Sequence, residues 1–107
     1  MKRGEVWWVN FDPSVGGEIT KKRLAVIVSN DAANKFLNRV QVVPLSSKVA
    51  KLYPSEAPVY FQGKPGKAMA DQLTTVSKLR LLDCAGQLTD AEMGQIEQVI
   101  KLQLALR

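Results

Sequence analysis

Three consecutive cationic residues, Lys21, Lys22 and Arg23, lie between a loop with two glycines and a run of apolar residues. The guanidinium of an arginine presents a planar fork of N–H donors, which can hold two oxygens of a phosphate at once. At the start of a strand such a group has a rigid base, which anion chemistry needs. The alternative is a solvated basic stretch that favours solubility. These residues alone leave both interpretations open.

Several classes of enzyme chemistry are excluded by composition. The chain has no histidine and a single cysteine, Cys84. This removes histidine-based acid–base catalysis, Ser-His-Asp triads and Cys-His pairs, and it makes a zinc site very unfavourable. The ten acidic residues are scattered along the chain, whereas a magnesium-dependent nuclease needs clustered carboxylates. We therefore expect no metal and no cofactor, and any nuclease chemistry must proceed without histidine.

The charge is unevenly distributed along the chain. The net charge is +5, and residues 1–80 hold 13 Lys and Arg against six Asp and Glu. Residues 81–107 hold two against four. A basic body with an acidic end favours a polyanionic partner, most simply nucleic acid, although a basic soluble protein without such a partner has the same balance.

Length and composition indicate one domain over residues 1–107. A chain of this size can form a single core, and dimerisation would add useful burial. No apolar run approaches the ~18 residues of a membrane span, and the N-terminus lacks the features of a signal peptide. The lone Cys84 excludes an internal disulfide and fits a reducing cytoplasm. We therefore expect a cytoplasmic protein with no membrane association.

Short apolar runs with turn signals between them predict a mostly β structure. The predicted strands cover residues 5–11, 24–29, 39–47, 58–61, 67–76 and 78–82, with a helical turn in 30–36 and a turn in 62–67. Alternation places Val6 and Trp8 on one face of the first strand and Trp7, Val9 and Phe11 on the other. Both faces are predicted to be buried, and one of them is a candidate for a subunit contact.

Three local features complete the predicted fold. Pro44 marks an edge or bulge near the end of the third strand. The loop of residues 12–22 is long for a hairpin, which is typical of a functional or disordered segment. Thr89 and Glu92 form a capping box, and helically spaced apolar residues follow at Met93, Ile96, Val99, Ile100 and Leu104. The pattern predicts a small curved antiparallel sheet or barrel with a helix at its C-terminal end.

The order of motifs resembles one known family. R-G-E-V-W-W-V-N-F-D-P-S-x-G-x-E, K-R-x-A-V-I-V-S-N-D, V-V-P-L-S-S, M-A-D-Q-L and the capped C-terminal helix are together similar to the MazF/PemK/Kid toxins of bacterial toxin–antitoxin systems. The resemblance implies a mostly β, SH3-like antiparallel barrel with a C-terminal helix, as in Kid and the gyrase poison CcdB. It also implies a homodimer that cleaves single-stranded mRNA sequence-specifically without a metal and is inhibited by a MazE-like antitoxin. The expected products carry 2′,3′-cyclic phosphate and 5′-hydroxyl ends.

The same resemblance assigns candidate site residues. It places catalysis at Arg23 and Ser46, where Ser46 replaces the family's usual threonine and so keeps the hydroxyl but loses the methyl group that restricts χ1. Leu24 stands where the family usually has proline, so strand pairing alone must hold the backbone there. The candidate RNA-binding residues are Glu18, Lys21, Lys22, Ser47, Asp71 and Gln72. Each of these also fits a surface charge or a polar strand end.

Two further functions remain open from the sequence. One is a CcdB-like toxin that poisons DNA gyrase by surface binding and needs neither Arg23 nor Ser46. The other is a non-catalytic SH3-like RNA-binding module. In either toxin, an acidic antitoxin segment is expected in a basic groove near Arg23, Lys48 and Lys51. Trp7 and Trp8 are expected in a core or a subunit contact rather than stacked on bases.

Overall fold

The computed structural model describes residues 1–13 and 15–107, which form an antiparallel sheet with two α-helices. The strands are β1 Glu5–Asn10, β2 Lys22–Ile27, β3 Arg39–Ser46, β4 Glu56–Phe61, β5 Lys64–Met69, β6 Thr74–Ser77 and β7 Leu81–Gln87. The helices are α1 Asp31–Phe36 and α2 Asp90–Gln103. None of the helices in the described residues is long and apolar enough to cross a membrane.

The sheet has the order β4-β5-β3-β2-β1-β7, and β6 also pairs with β3. On one side, residues 39–42 of β3 pair with β6, whereas Leu45 and Ser46 pair with β5. Pro44 is buried, pairs with Ala25 of β2 and lies between these two sets of partners. Because proline lacks a backbone N–H, it is tolerated where the ladder changes partner. The sheet curls into a half-barrel with a C-terminal helix, which confirms the predicted fold class.

The central strands bury both faces within the chain itself. Strand alternation sends Val6 into a core that also packs against α2, and it sends Val9 and Phe11 into a second core on the other face of the sheet. The same period of two divides β2, where Val26 enters the first core and Ala25 enters the second. Intrachain packing therefore accounts for most of the two-sided burial that the sequence predicts for β1.

The second half of the sheet differs from the prediction. Residues 67–76 do not form one strand, because a 3₁₀ turn at Ala70–Gln72 separates β5 from β6. Residues 78–82 do not form a short strand either, since a 3₁₀ turn at Lys78–Arg80 precedes β7. Both turns lack glycine and proline, so the local sequence gives no turn signal. The turn at Ala70–Gln72 is needed because β5 and β6 pair with different parts of β3.

Helix α2 begins with the predicted capping box. The Thr89 hydroxyl accepts a hydrogen bond from the Glu92 amide (3.2 Å), and the Glu92 carboxylate accepts one from the Thr89 amide (3.0 Å). The other Glu92 oxygen accepts a 2.7 Å hydrogen bond from the Tyr60 amide, which ties the helix to β4. Met93 and Ile96 enter the core as predicted, whereas Leu104 follows the end of the helix and is 50% exposed.

A buried ion pair holds the loop between β3 and β4. The Lys67 ammonium lies 2.9 Å from a Glu56 carboxylate oxygen, and both side chains are buried. The ammonium also donates to the Lys51 carbonyl (3.0 Å), and the same Glu56 oxygen accepts from the Tyr53 amide (2.8 Å). The pair is hydrogen-bonded to its surroundings and connects strands β4 and β5 to the backbone of the loop.

The Glu92 cap predicts a pH-dependent loss of stability. Burial raises the pKa of Glu92, but hydrogen bonds from the Tyr60 amide and from Thr89 outweigh it and hold the pKa below its usual value of 4.5. A carboxyl with a lowered folded-state pKa stabilises the fold above its unfolded-state pKa, and this stability is lost as pH falls through the folded value. Glutamine has one acceptor oxygen where the carboxylate has two, so we expect Glu92→Gln to lower the free energy of unfolding at neutral pH by about 1 kcal/mol.

Urea denaturation at neutral pH and below about pH 4.5 measures this effect. The difference between wild type and Glu92→Gln should shrink at the lower pH. Asp83→Asn, at an exposed position of β7, is the control and should leave the pH dependence as it is. A difference between wild type and Glu92→Gln that is the same at both pH values would contradict this account.

The ion pair predicts a second stability effect. In Lys67→Met the Glu56 carboxylate stays buried without its counter-charge, so the free energy of unfolding should fall by about 3 kcal/mol. Adding Glu56→Gln removes that charge and should restore part of the loss. Lys64→Met, at an exposed lysine of the same strand, should change the value by less than about 0.5 kcal/mol. Chemical denaturation of the four proteins gives the comparison, and equal losses in both lysine variants would refute it.

Candidate functional site

A cleft of about 480 Å³ lies where β2 begins, β3 ends and the β4–β5 hairpin turns. Both predicted catalytic residues, Arg23 and Ser46, line it together with Lys22 and Ser47. The remaining lining residues are Trp8, Leu24, Leu45, Val59, Phe61, Gln62, Lys64, Pro65 and Gly66. The structure thus brings together four residues from two segments that are more than twenty positions apart in the sequence.

Arg23 is held by strand pairing of its backbone and by one hydrogen bond from its Nε. It is the second residue of β2 and pairs with Val9 of β1. Its Nε donates a 3.0 Å hydrogen bond to the Thr20 carbonyl, and the side chain is half-buried. Within the described part of the chain, its two terminal nitrogens make no hydrogen bond or ion pair. The forked end of the guanidinium therefore keeps its donors for a ligand in the cleft.

Ser46 is the last residue of β3 and pairs with Lys67 of β5. Its Oγ accepts a 3.1 Å hydrogen bond from the Lys48 amide, which leaves the hydroxyl proton free to be donated. Ser47 lies outside the strand and is exposed, so strand alternation does not turn it away from Ser46. Both hydroxyls line the same cleft as a result.

Gly66 of β5 allows a close approach to the end of β3 at Ser46. A Cβ at this position would lie 3.0 Å from the Ser46 carbonyl oxygen and 3.5 Å from a methyl group of Val59. The first distance is shorter than ordinary contact, so any larger residue would displace the Ser46 backbone or β5. The position of Ser46 therefore depends on a glycine on the neighbouring strand.

Two predicted RNA-binding residues lie in a second, smaller cavity of about 170 Å³. Glu18 accepts a 3.0 Å hydrogen bond from the Val15 amide, and Gln72 donates a 3.2 Å hydrogen bond to the Gly17 carbonyl. The described residues that line it are Phe11, Pro13, Glu18, Ile19, Gln72, Thr74, Thr75, Val76 and Arg80. Asp71 and Gln72 lie in the 3₁₀ turn after β5 rather than in a strand as predicted.

The remaining cationic and acidic candidates lie outside both cavities. Lys21 and Asp71 are exposed and belong to the lining of neither one. Lys48 and Lys51, which were expected beside Arg23, are exposed and also absent from the cleft lining. The basic groups that the cleft does contain are Lys22, Arg23 and Lys64.

Sequence reasoning missed Lys64, Gln62 and Trp8 as residues of the cleft. Trp8 is 42% exposed and borders the cleft, although its strand pattern favoured burial in a core or a subunit contact. Lys64 and Gln62 reach the site because the β4–β5 hairpin turns beside β2. The Q-G-K-P-G-K signal indicated a turn there but not where the turn would lie in the fold.

The cleft combines cationic donors, hydroxyl groups and an apolar wall, and none of the described residues that line it is acidic. This composition suits a phosphate group with an attached apolar or aromatic body. Among the residues that the structure describes, no group of three or more His, Cys, Asp and Glu side chains is placed to hold a metal ion.

A family model described as "PemK-like, MazF-like toxin of type II toxin-antitoxin system" matches residues 2–104. Endoribonuclease MazF9 from Mycobacterium tuberculosis is 38% identical over 115 aligned positions, which cover 99% of this chain and 98% of that protein. A solved endoribonuclease in complex with its cognate antitoxin, from a mycobacterial species, matches with a TM-score of 0.84 and 25% identity, covering 100% of this chain and 97% of that one.

MazF from Deinococcus radiodurans has a TM-score of 0.88 at 24% identity, covering 99% of this chain and 97% of that chain, which is a likeness of fold. The overall fold is thus shared with these solved structures. As the order of its sequence motifs predicts, the chain belongs to the PemK-like, MazF-like toxin family of type II toxin–antitoxin systems.

Proposed function

We propose that this endoribonuclease toxin cuts single-stranded mRNA at a specific sequence, without a metal, through the cleft that holds Arg23 and Ser46. The observation that carries the proposal is the free guanidinium fork of Arg23 in the same cleft as the Ser46 hydroxyl. In the proposed reaction the ribose 2′-hydroxyl gives its proton to a solvent water as its oxygen bonds to the adjacent phosphorus. The bond from phosphorus to the 5′-oxygen then breaks and that oxygen takes up a proton from solvent, leaving a 2′,3′-cyclic phosphate and a 5′-hydroxyl.

Arg23 stabilises the charge that develops on the non-bridging oxygens during this step. An arginine side chain does not release its proton in proteins, so its role is that of a fixed, two-pronged donor. Anchoring by the Thr20 carbonyl (3.0 Å) supports this role, because a donor held in place needs no reorganisation as charge develops. The half-buried position of the side chain strengthens the interaction further.

Ser46 donates its hydroxyl proton to a phosphate oxygen while its Oγ is held by the Lys48 amide. Lys22 and Ser47 bind the RNA backbone within the same cleft. The exposed Trp8 ring offers a face for an unpaired base beside the phosphate. This places the reacting phosphate at the basic end of the cleft and the neighbouring base against its apolar wall.

Sequence specificity is assigned to the other candidate residues. Glu18 and Gln72 share the second cavity, whose two threonines and amide group suit the edge of an unpaired base. Asp71 lies beside Gln72 in the same turn and extends this polar surface. The exposed Lys21 adds positive charge next to Lys22 in the chain, which favours the approach of RNA.

The proposed partners follow from charge and exposed apolar surface. A MazE-like antitoxin with an acidic segment would compete with RNA for the cations of the cleft, and a relative of 25% identity has been solved with its cognate antitoxin. We also propose a homodimer, because Leu79 and Phe36 are 93% and 79% exposed. Residues 1–107 act as one toxin domain in the cytoplasm, where the substrate is found and a lone cysteine stays reduced.

Replacing Arg23 tests the catalytic proposal. Arg23→Ala removes the fork that faces the reacting phosphate, so we expect the cleavage rate to fall by at least about 100-fold. The assay incubates a long single-stranded RNA with excess EDTA and follows the products by electrophoresis and end analysis. Arg39→Ala, an exposed arginine at the other end of β3, is the matched control and should cleave at the wild-type rate.

Three outcomes would refute the proposal in different ways. Undiminished cleavage by Arg23→Ala would remove Arg23 from the mechanism. RNA that stays intact at high wild-type concentration, together with blocked supercoiling by DNA gyrase, would favour the CcdB-like alternative. Intact RNA that is nevertheless bound, with affinity falling as salt rises, would favour the non-catalytic module.

Ser46 gives an independent prediction. Ser46→Ala loses one neutral hydrogen bond to the phosphate, so the rate should fall by about tenfold, less than for the charged Arg23. Ser46→Thr keeps the hydroxyl and restricts χ1, so its rate should be about ten times that of the alanine variant, which corresponds to about one neutral hydrogen bond. Single-turnover cleavage of one defined RNA measures both values. Equal rates for the alanine and threonine variants would show that the hydroxyl has no catalytic role.

A further inference from the structure

Lys21 has a left-handed backbone conformation, with φ at 66°. This region is unfavourable for side chains with a Cβ and is usually occupied by glycine, asparagine or aspartate. Gln62 and Ala105 are the other non-glycine residues with positive φ in the described ranges 1–13 and 15–107. Gln62 forms the tight β4–β5 turn and Ala105 follows the end of α2, whereas Lys21 lies two residues before Arg23.

Contacts to the end of β1 hold this conformation in place. The Lys21 amide donates to an Asp12 carboxylate oxygen at 2.8 Å, and the Lys21 carbonyl accepts from the Phe11 amide at 2.9 Å. Both backbone polar groups of Lys21 are therefore bound to the residues that follow β1. They close the long β1–β2 loop at its base, just before β2 begins at Lys22.

The left-handed residue lies between the two ends of the hydrogen bond that anchors Arg23. The donor is Arg23 Nε and the acceptor is the carbonyl of Thr20, three residues earlier. In an extended strand, the carbonyl of the residue three positions earlier would lie roughly 10 Å from the Arg23 backbone, out of reach of Arg23 Nε. A reversal of the chain at Lys21 brings the Thr20 carbonyl back beside Arg23.

We propose that Lys21 is a positioning residue: its left-handed backbone, pinned by Asp12, holds the Thr20 carbonyl against Arg23 Nε and so aims the guanidinium fork into the cleft. The inference deepens the proposed function and rests on the catalytic role of Arg23. It assigns the importance of Lys21 to its backbone, whereas the resemblance of the sequence assigned it to a charge that binds RNA. The exposed side chain lies outside the cleft lining, in agreement with the backbone role.

Three substitutions at Lys21 separate the effect of its backbone conformation from the effect of its charge. Lys21→Gly, Lys21→Asn and Lys21→Val all remove the positive charge, but glycine and asparagine accept the left-handed region and the β-branched valine does not. We expect kcat of Lys21→Val to be at least about tenfold below kcat of the other two variants, with a smaller change in KM, because a displaced fork weakens transition-state contacts. Equal kcat values in the three variants, including an equal rise in KM, would overturn the proposal.

A measurement on Arg23 itself keeps this test separate from the test of function. The Nε–H signal of Arg23, assigned by its loss in Arg23→Lys, should exchange with solvent faster in Lys21→Val than in Lys21→Gly and Lys21→Asn. If wild-type protein fails to cleave RNA, the proposed function fails, and the exchange rates still decide whether Lys21 orients Arg23. Equal exchange rates in the three variants would overturn the positioning role whatever the cleavage result.

A second pair of variants guards against misfolding of Lys21→Val. Asp12→Ala removes the acceptor of the Lys21 amide, whereas Asp12→Asn keeps an oxygen at that position. Asp12→Ala should show the lower kcat and the faster Nε–H exchange of the two, at the same thermal midpoint as Asp12→Asn. Identical behaviour of the Asp12 pair would count against the proposal in the same way as equal values at Lys21.

Discussion

Strand β3 has to serve two partners along one edge, and the architecture depends on this constraint. Its first half pairs with β6 and its last two residues pair with β5, while its other edge pairs with β2. Pro44 lies at the change of partner, where a missing N–H does least harm. Since β5 and β6 must diverge from one strand, the sheet curls, and the end of β3 opens towards the β4–β5 hairpin. The cleft occupies that opening.

The cleft keeps its donors available because their supports lie elsewhere. Within the described part of the chain, only Nε of Arg23 donates to a backbone carbonyl, which leaves its two terminal nitrogens available. Ser46 accepts a hydrogen bond from a backbone amide through its Oγ, which leaves its hydroxyl proton available. Each group is therefore oriented without losing the donors that face the ligand. The buried Lys67–Glu56 pair also combines two functions, because its ammonium donates both to the Glu56 carboxylate and to a backbone carbonyl of the loop after β3. Rigid strands and a bound loop together limit how far the site must rearrange when a ligand enters.

The features that could be predicted from the sequence are those that local pattern determines. The capping box, the alternation in β1 and the adjacency of Lys22 and Arg23 need no knowledge of distant contacts, and family resemblance added Ser46. The division of residues 67–76 into two strands could not be predicted, because it follows from the two partners of β3. For the same reason the placement of Glu18 and Gln72 in a separate cavity was not visible in the sequence. It depends on where the β1–β2 loop meets the turn after β5.

Gly66 has a consequence for how such a site can diversify. Because a side chain there would press on the Ser46 carbonyl, the width of the cleft and the position of a candidate catalytic hydroxyl cannot vary independently through this residue. Gln62 and Lys64 line the same cleft but are exposed at the hairpin turn, so substitutions there need not press on the Ser46 backbone. New ligand preferences can therefore arise at the turn without displacing the Ser46 hydroxyl. The missing side chain of Gly66 thus divides one hairpin into a part that is free to vary and a part that is not.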